Sequence, residues 1–273
     1  MPDVASGIIL GLDTATHTAS AALVDRDGAL LAQGTLDTSG RGDDLLVLLD
    51  DLCRRVGVAP SALAAVAVGA GPGSFTGLRI GMATAKGVAF AAGCPLWIAS
   101  SLAAMADEAN EANEHLRRGN PGGRADRADR SDPCAVPDVV VPVLDARRGE
   151  VFCAFHAAAP GAPALGPERV LAPEQLAGAL AETLGPDASG RTVWCCGDAL
   201  DVYGEALAAL APRWLQVART PSGLHVARTA LRGARHDDLS AGRPAYLRPA
   251  EAEVMYPDGV PGALRKVTLP DSP

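Results

Sequence analysis

A chain of 273 residues with 48% hydrophobic content and mean hydropathy +0.13 has enough apolar surface for a packed core. That excludes a disordered protein and leaves room for one large domain or two lobes. The net charge of −8 and pI near 5.1 exclude a protein that grips nucleic acid alone through a broad basic surface.

No apolar run approaches the ~20 residues of a transmembrane helix. The start, Met1-Pro2-Asp3-Val4, lacks the basic leader of a signal peptide, so a cytoplasmic location with no membrane contact is expected. Six cysteines are scattered without Cys-x-x-Cys or zinc spacing, and reduced, structural thiols are expected.

Residues 8–12, 18–24 and 29–36 read as three strands joined by short turns, an antiparallel meander. Asp13 falls at the carboxyl end of the first, where α/β sheets present ligand-facing groups; alternatively it caps its own turn. Residues 43–56 predict a helix with Leu45, Leu48, Leu49, Leu52 and Val56 on one face. Leu46 and Val47 lie off that stripe, as extra core or as a partner surface.

Residues 63–68 predict a buried strand and 76–92 a helix. Between them runs Gly69-Ala70-Gly71-Pro72-Gly73-Ser74-Phe75-Thr76-Gly77-Leu78-Arg79-Ile80-Gly81. A glycine-rich joint feeding a helix N-terminus suits an anion, and Ser74 or Thr76 can cap the helix. The stretch nonetheless lacks the Lys-Ser/Thr of a P-loop, the spacing of a dinucleotide fingerprint and the glycine of a nucleophile elbow. Gly77, Gly81 and Ala85 recur every four residues, a face that can pack on its own sheet or pair with another subunit's helix.

Residues 95–100 predict a strand and 101–112 a short helix. The polar, Gly/Pro-bearing, mixed-charge segment 113–137 predicts a mobile inter-lobe insertion, or alternatively a nucleic-acid arm. A second lobe opens with Val139-Val140-Val141-Pro142-Val143-Leu144 and the turn Asp145-Ala146-Arg147-Arg148-Gly149-Glu150, so Asp145 repeats the position of Asp13. Two lobes around a cleft, or two independent turn-capping aspartates, both fit.

A helix from 173, a strand over 191–196 leading to Gly197-Asp198, helices over 200–210 and 222–233, and an extended tail complete the reading. Arg228, Arg232 and Arg235 read as a solvated helix face or as RNA phosphate contacts. The division expected is 1–112, 113–137, 138–220 and 221–273.

Taken together, Asp13-Thr14-Ala15-Thr16, the block from Gly71 to Gly81, Asp145-Ala146-Arg147-Arg148-Gly149-Glu150-Val151 and Tyr246-Leu247-Arg248 resemble the TsaB (YeaZ-like) family of bacterial tRNA threonylcarbamoyladenosine biosynthesis proteins. The resemblance implies an α/β, two-lobed actin/hexokinase/Hsp70-like (ASKHA) fold, with a mixed β-sheet flanked by helices in each lobe and a final helix returning to the first lobe. It also implies a non-catalytic scaffold that pairs with a TsaD-like catalytic subunit in transferring threonylcarbamoyl to N6 of adenosine 37 of ANN-decoding tRNAs. A TsaE-like ATPase joins the complex, a homodimer can use a similar surface, and tRNA is met only through the complex.

On that resemblance the partner interface falls on Leu46, Val47, Asp50, Gly77, Ile80, Gly81, Thr84 and Ala85. Asp13, Thr14, Thr16, Asp145, Arg147 and Gly197 become a vestigial nucleotide cleft. No firmly bound cofactor and no metal is expected, with ATP or ADP and Mg entering at the level of the complex. The catalytic paralogue's His-x-x-x-His pair has no counterpart among His17, His115, His156, His225 and His236, and no catalytic residue is assigned. The competing reading is a stand-alone enzyme of the same fold, a small-molecule kinase with Mg–nucleotide on Asp13, Asp145 and Asp198, or a peptidase. No nucleophile–His pairing is evident in the sequence for the latter.

Overall fold

A computed structural model describes residues 7–37, 44–119, 137–185, 190–210, 213–214, 217–233, 235–236, 239 and 242–248. The chain begins with β1 (Ile8–Asp13), β2 (Thr18–Val24) and β3 (Leu30–Asp37), an antiparallel meander. Then come α1 (Asp44–Val56), β4 (Leu63–Gly69), α2 (Phe75–Ala92), β5 (Leu96–Ala99) and α3 (Ser101–Gly119). The second lobe contains β6 (Val139–Arg147), β7 (Glu150–Cys153), β8 (His156–Ala157), β9 (Arg169–Leu171), α4 (Leu176–Leu184), β10 (Val193–Cys196), α5 (Ala199–Leu207) and β11 (Arg213–Trp214). The chain ends its regular structure with α6 (Gly223–Arg232) and β12 (Arg235–His236).

Two mixed sheets result. The first has strand order β12-β5-β4-β1-β2-β3, with β1, β4 and β5 parallel. The second runs β11-β10-β6-β7-β9, with β8 paired to β6.

Strand periodicity of two explains the layering. In β1, Leu10 and Leu12 face a core shared with Leu45, Leu49 and Leu52 of α1 and Met82 and Ala85 of α2. Ile9, on the other side, joins Val226, Ala227 and Ala230 of α6 and the buried Trp97. The second sheet repeats the arrangement. Val139, Val141 and Val143 pack with Leu176, Leu180 and Leu207, while Val140 and Leu144 face Leu102, Met105 and Ala109 of α3. Thus α6 rests on the first sheet and α3 on the second, and the seam between these two helices joins the lobes.

Helix ends follow local chemistry. Ser74 caps α2 by accepting from Gly77 N (3.2 Å), and Gly93 closes it at φ 65°. Such a cap contributes about 1 kcal/mol. In α1, Arg54 pairs with Asp50 (2.7 Å) and Arg55 with Asp51, surface pairs worth about 0.3–0.5 kcal/mol each.

One boundary differs from the sequence reading. Helix α3 runs on to Gly119 instead of stopping at residue 112, so the segment expected to begin at 113 starts inside a helix. Ala109, Asn110 and Asn113 are buried, and Asn110 Nδ2 donates to Ala159 O (3.1 Å): the second lobe holds this polar stretch helical. The rest of the expected insertion, 120–136, lies outside the described residues.

Candidate functional site

Two hairpin turns, β1–β2 and β6–β7, meet across the gap between the lobes, where an Arg147 guanidinium nitrogen lies 2.5 Å from His17 Nε2. Behind them is a cavity of about 730 Å³. Its walls include Ser74, Phe75 and Arg79 from the start of α2, Arg147 and Arg148 from the second turn, and Tyr246 from the C-terminal segment. That segment runs across both lobes. Ala245 N donates to Ala70 O (2.7 Å) and Arg79 Nε to the Tyr246 hydroxyl (3.1 Å). Phe75 and Tyr246 sit 4.9 Å apart with the Arg79 guanidinium over Phe75. Arg248 donates to Ala146 O (3.0 Å) and pairs with Glu150.

The acids expected to face a nucleotide all accept hydrogen bonds within the protein, and of them Asp145 and Asp198 border the cavity. Asp13 is fully buried, and its carboxylate accepts from Ala15 N (2.7 Å) and Ser101 Oγ (2.6 Å). Burial pushes its pKa up to about 6 against the pull of those hydrogen bonds. Asp13 therefore ties the end of β1 to the start of α3 and presents no oxygen to the cavity. Thr14 Oγ1 donates to Gly77 O (2.8 Å), and Thr16 Oγ1 closes its own turn on Thr18. Asp145 accepts from Arg147 N (2.7 Å) and the Tyr203 hydroxyl (3.2 Å), and it pairs with the Arg147 guanidinium.

Asp198 accepts from Asp145 N (2.9 Å), and burial first of all raises its pKa. Gly197 lies at φ 127°, where an added Cβ would stand 1.9 Å from Val143 O. Of the residues expected in a vestigial nucleotide cleft, Thr16, Asp145 and Arg147 border the cavity, as does Asp198, whereas Asp13, Thr14 and Gly197 lie in the turns behind it. Among the described residues no three His, Cys, Asp or Glu side chains are placed to share a metal.

The partner-interface residues separate into two groups. Leu46 (55% exposed), Val47 (67%) and Ile80 (38%) face outward. Gly81 and Ala85 are buried, and Gly77 and Gly81 pack on the β1–β2 turn: an added Cβ would lie 2.2 Å from Thr14 O and 2.1 Å from Thr14 Oγ1, respectively. The small-residue face of α2 is therefore an internal contact, and of the two packings open in the sequence it serves its own lobe. Thr84 and Asp50 are half-buried, the latter facing Arg54. The sequence reading missed Phe90, 80% exposed. It follows Ile80, Ala83 and Gly87 at intervals of three or four, a helical spacing that could have revealed it.

The arginines of α6 form a third cluster, at the seam with α3. Arg228 pairs with Glu111 and donates to Gly28 O (2.8 Å), and Arg232 pairs with Asp107. Both side chains are therefore held in ion pairs at the seam and do not lie on an unpaired solvated face, and Arg235 lies on β12, off the helix. His225 Nε2 is 2.8 Å from Glu111 Oε2 and its Nδ1 2.8 Å from Ser222 Oγ. A Ser–His–Glu alignment therefore exists, contrary to the sequence reading. Tertiary contact with α3 supplies its acid, and Ser222 also caps α6 by accepting from His225 N (3.3 Å).

The first lobe matches a family model described as TsaD, tRNA N6-adenosine threonylcarbamoyltransferase, over residues 42–121. The chain is 39% identical over 98 residues to the Escherichia coli tRNA threonylcarbamoyladenosine biosynthesis protein TsaB, covering 36% of this chain and 42% of that one. To the Bacillus subtilis protein of the same name it is 26% identical over 148 residues, 54% of each chain. The chain thus spans between two fifths and about half the length of these curated relatives. A solved Pseudomonas aeruginosa structure, described as an uncharacterized protein with similarity to peptidase YEAZ, superposes with a TM-score of 0.67 at 27% identity. That match covers 89% of this chain and 100% of the other. A structure titled YeaZ from Pseudomonas aeruginosa gives 0.64 at 27% identity, over 88% of this chain and 100% of the other. The two-lobed architecture is the actin/hexokinase/Hsp70-like fold, shared over most of the chain with the YeaZ structures, and in sequence the chain is similar to the TsaB proteins.

Proposed function

We propose that this chain is a non-catalytic subunit of the machinery that transfers threonylcarbamoyl to N6 of adenosine 37 in ANN-decoding tRNAs. It pairs with a TsaD-type catalytic subunit in the cytoplasm, with a TsaE-type ATPase joining and tRNA met through the assembly. Any ATP or ADP with Mg enters at the level of the assembly. The observation that carries the reading is the exposure of Leu46 and Val47 on α1 and of Ile80 and Phe90 on α2, two helices that pack their inner faces into the same core of the first lobe. Exposed large apolar groups on a helix favour a partner over solvent. The names of the relatives supply the pathway, and the family model matches the segment that contains both helices. The same surface would serve a homodimer.

Reconstitution of threonylcarbamoylation from the TsaD- and TsaE-type proteins, with and without this chain, tests the proposal. Modification that needs the chain supports it; full activity without the chain overturns it. A stand-alone hydrolase is a second reading with one observation in its favour, the Ser222–His225–Glu111 alignment. Labelling of Ser222 by a fluorophosphonate would favour it, and an unlabelled native protein would exclude it.

A further inference from the structure

We propose that residues 242–248 form a latch that locks the two lobes in one arrangement across the mouth of the cleft, with Arg248 as the end that releases. The latch needs neither ligand nor partner and does not depend on the partner reading. The lobes are joined first along the α3–α6 seam, where Arg228 pairs with Glu111 and Arg232 with Asp107. Arg228 also donates to Gly28 O of the β2–β3 turn (2.8 Å), so the seam grips one end of β2. Two bodies held along one seam can still rotate about it. A second attachment, displaced from the seam, removes that freedom.

The chain supplies that attachment after β12. Leu239 packs on the core of the first lobe, and Gly242 is buried so tightly that an added Cβ would stand 2.8 Å from Leu96 Cδ2 and 3.2 Å from Lys86 Cε. Ala245 N then donates to Ala70 O (2.7 Å), just past the end of β4. Tyr246 accepts from Arg79 Nε (3.1 Å) and lies 4.9 Å from Phe75. These partners all belong to the first lobe. They lie at its β1–β2 turn end, where Ser74 N donates to Ala15 O (2.7 Å). That end is roughly 20 Å from the Gly28 turn along the seven residues of β2.

The next two residues cross to the second lobe. Leu247, half-buried, packs on the cluster that holds Val140, Leu144 and Phe152. Arg248 Nη1 donates to Ala146 O (3.0 Å) and Nη2 pairs with Glu150, so one guanidinium holds both strands of the β6–β7 hairpin. The same hairpin carries Arg147, which meets His17 of the first lobe. Arg248 thus pins the turn that faces the opposite lobe. Its side chain is 26% exposed, and a pair so sheltered is screened less by salt than a free surface pair. The two ends of the latch are unequal. A buried glycine, a backbone bond and a ring pair fix it to the first lobe; one half-buried leucine and one arginine fix it to the second. Opening therefore starts at Arg248.

The test is a distance measurement by pulsed electron spin resonance in the full chain, with nitroxides at A83C on α2 and E174C ahead of α4. Both positions are exposed, one in each lobe. The chain also carries C134S, which leaves only the buried Cys53, Cys94, Cys153, Cys195 and Cys196 beside the labels. With residues 242–248 intact, a single narrow distance is expected. R248A and Y246A should each add a second, longer distance while circular dichroism stays native. A single unchanged distance in both variants overturns the proposal, and so do two distances with the latch intact. Should R248A fail to fold, E150Q removes only the ion pair, and a folded E150Q protein without the longer distance overturns the proposal equally.

Discussion

Gly81 of α2 lies against Thr14 of the β1–β2 turn, so close that an added Cβ would stand 2.1 Å from Thr14 Oγ1. Thr14 is itself held by its hydrogen bond to Gly77 O (2.8 Å), so it cannot swing away without losing that bond. Overpacking of this kind costs roughly 1–3 kcal/mol. The G81A protein should melt several degrees below the native chain in a thermal scan, with no partner present. An unchanged midpoint would show that α2 does not press on this turn.

Outward-facing residues should behave in the opposite way. F90S and V47S remove exposed apolar side chains (80% and 67% exposed), so each should alter monomer stability by no more than about 0.5 kcal/mol. If the α1–α2 surface takes the partner, the same changes should weaken association by ~2 kcal/mol, near 30-fold. Size-exclusion chromatography with a TsaD-type protein reads this directly. Native-like complex formation by both variants would place the interface elsewhere.

Asp13 makes a pH-dependent contribution whose sign follows from burial. Its pKa is near 6 in the folded chain and about 4 unfolded. Between those values the native state holds the proton and the unfolded chain does not, so this group's contribution to stability falls as pH rises through that window. D13N carries no such proton. Urea titrations of both proteins from acid to neutral pH should show native stability declining relative to D13N between about pH 4 and 6. A constant difference would mean that Asp13 stays ionised throughout.

His225 works in the other sense. Burial opposes its charge, but Glu108 and Glu111 of α3 outweigh burial, and the net shift is upward. Arg228 also sits on Glu111, and Ser222 faces Nδ1. The stability gained from the imidazolium is fully present below the ordinary histidine value of about 6.5 and is lost as pH rises through the elevated folded value. H225Q should therefore be least stable relative to the native chain in mild acid and should approach it in alkali. A difference independent of pH would show that the seam is held by shape and by the arginine pairs alone.

Much of this molecule was legible in its sequence because its signals are local. The meander of β1 to β3, the leucine stripe of α1 and the capped start of α2 rest on period-two and period-3.6 patterns and on Ser74 at a helix head. The two acid-bearing hairpin turns were likewise visible, and so was the family resemblance.

What sequence left open were choices between partners that lie far apart along the chain. Gly81 could meet a sheet or a neighbouring subunit until folding brought Thr14 against it, across 67 residues. Asp13 could face a ligand until Ser101, 88 residues away, took its carboxylate. Arg228 and Arg232 looked like a solvated face until Glu111 and Asp107 of α3, more than a hundred residues upstream, paired with them. Helix α3 outran its expected end because buried contacts with the second lobe outweigh the weak propensities of its Asn-rich turns. Periodicity and capping act between neighbours in the chain and so fix the elements. Which buried polar group satisfies which is decided only when the two lobes close on one another, because burial makes each unsatisfied donor or acceptor costly.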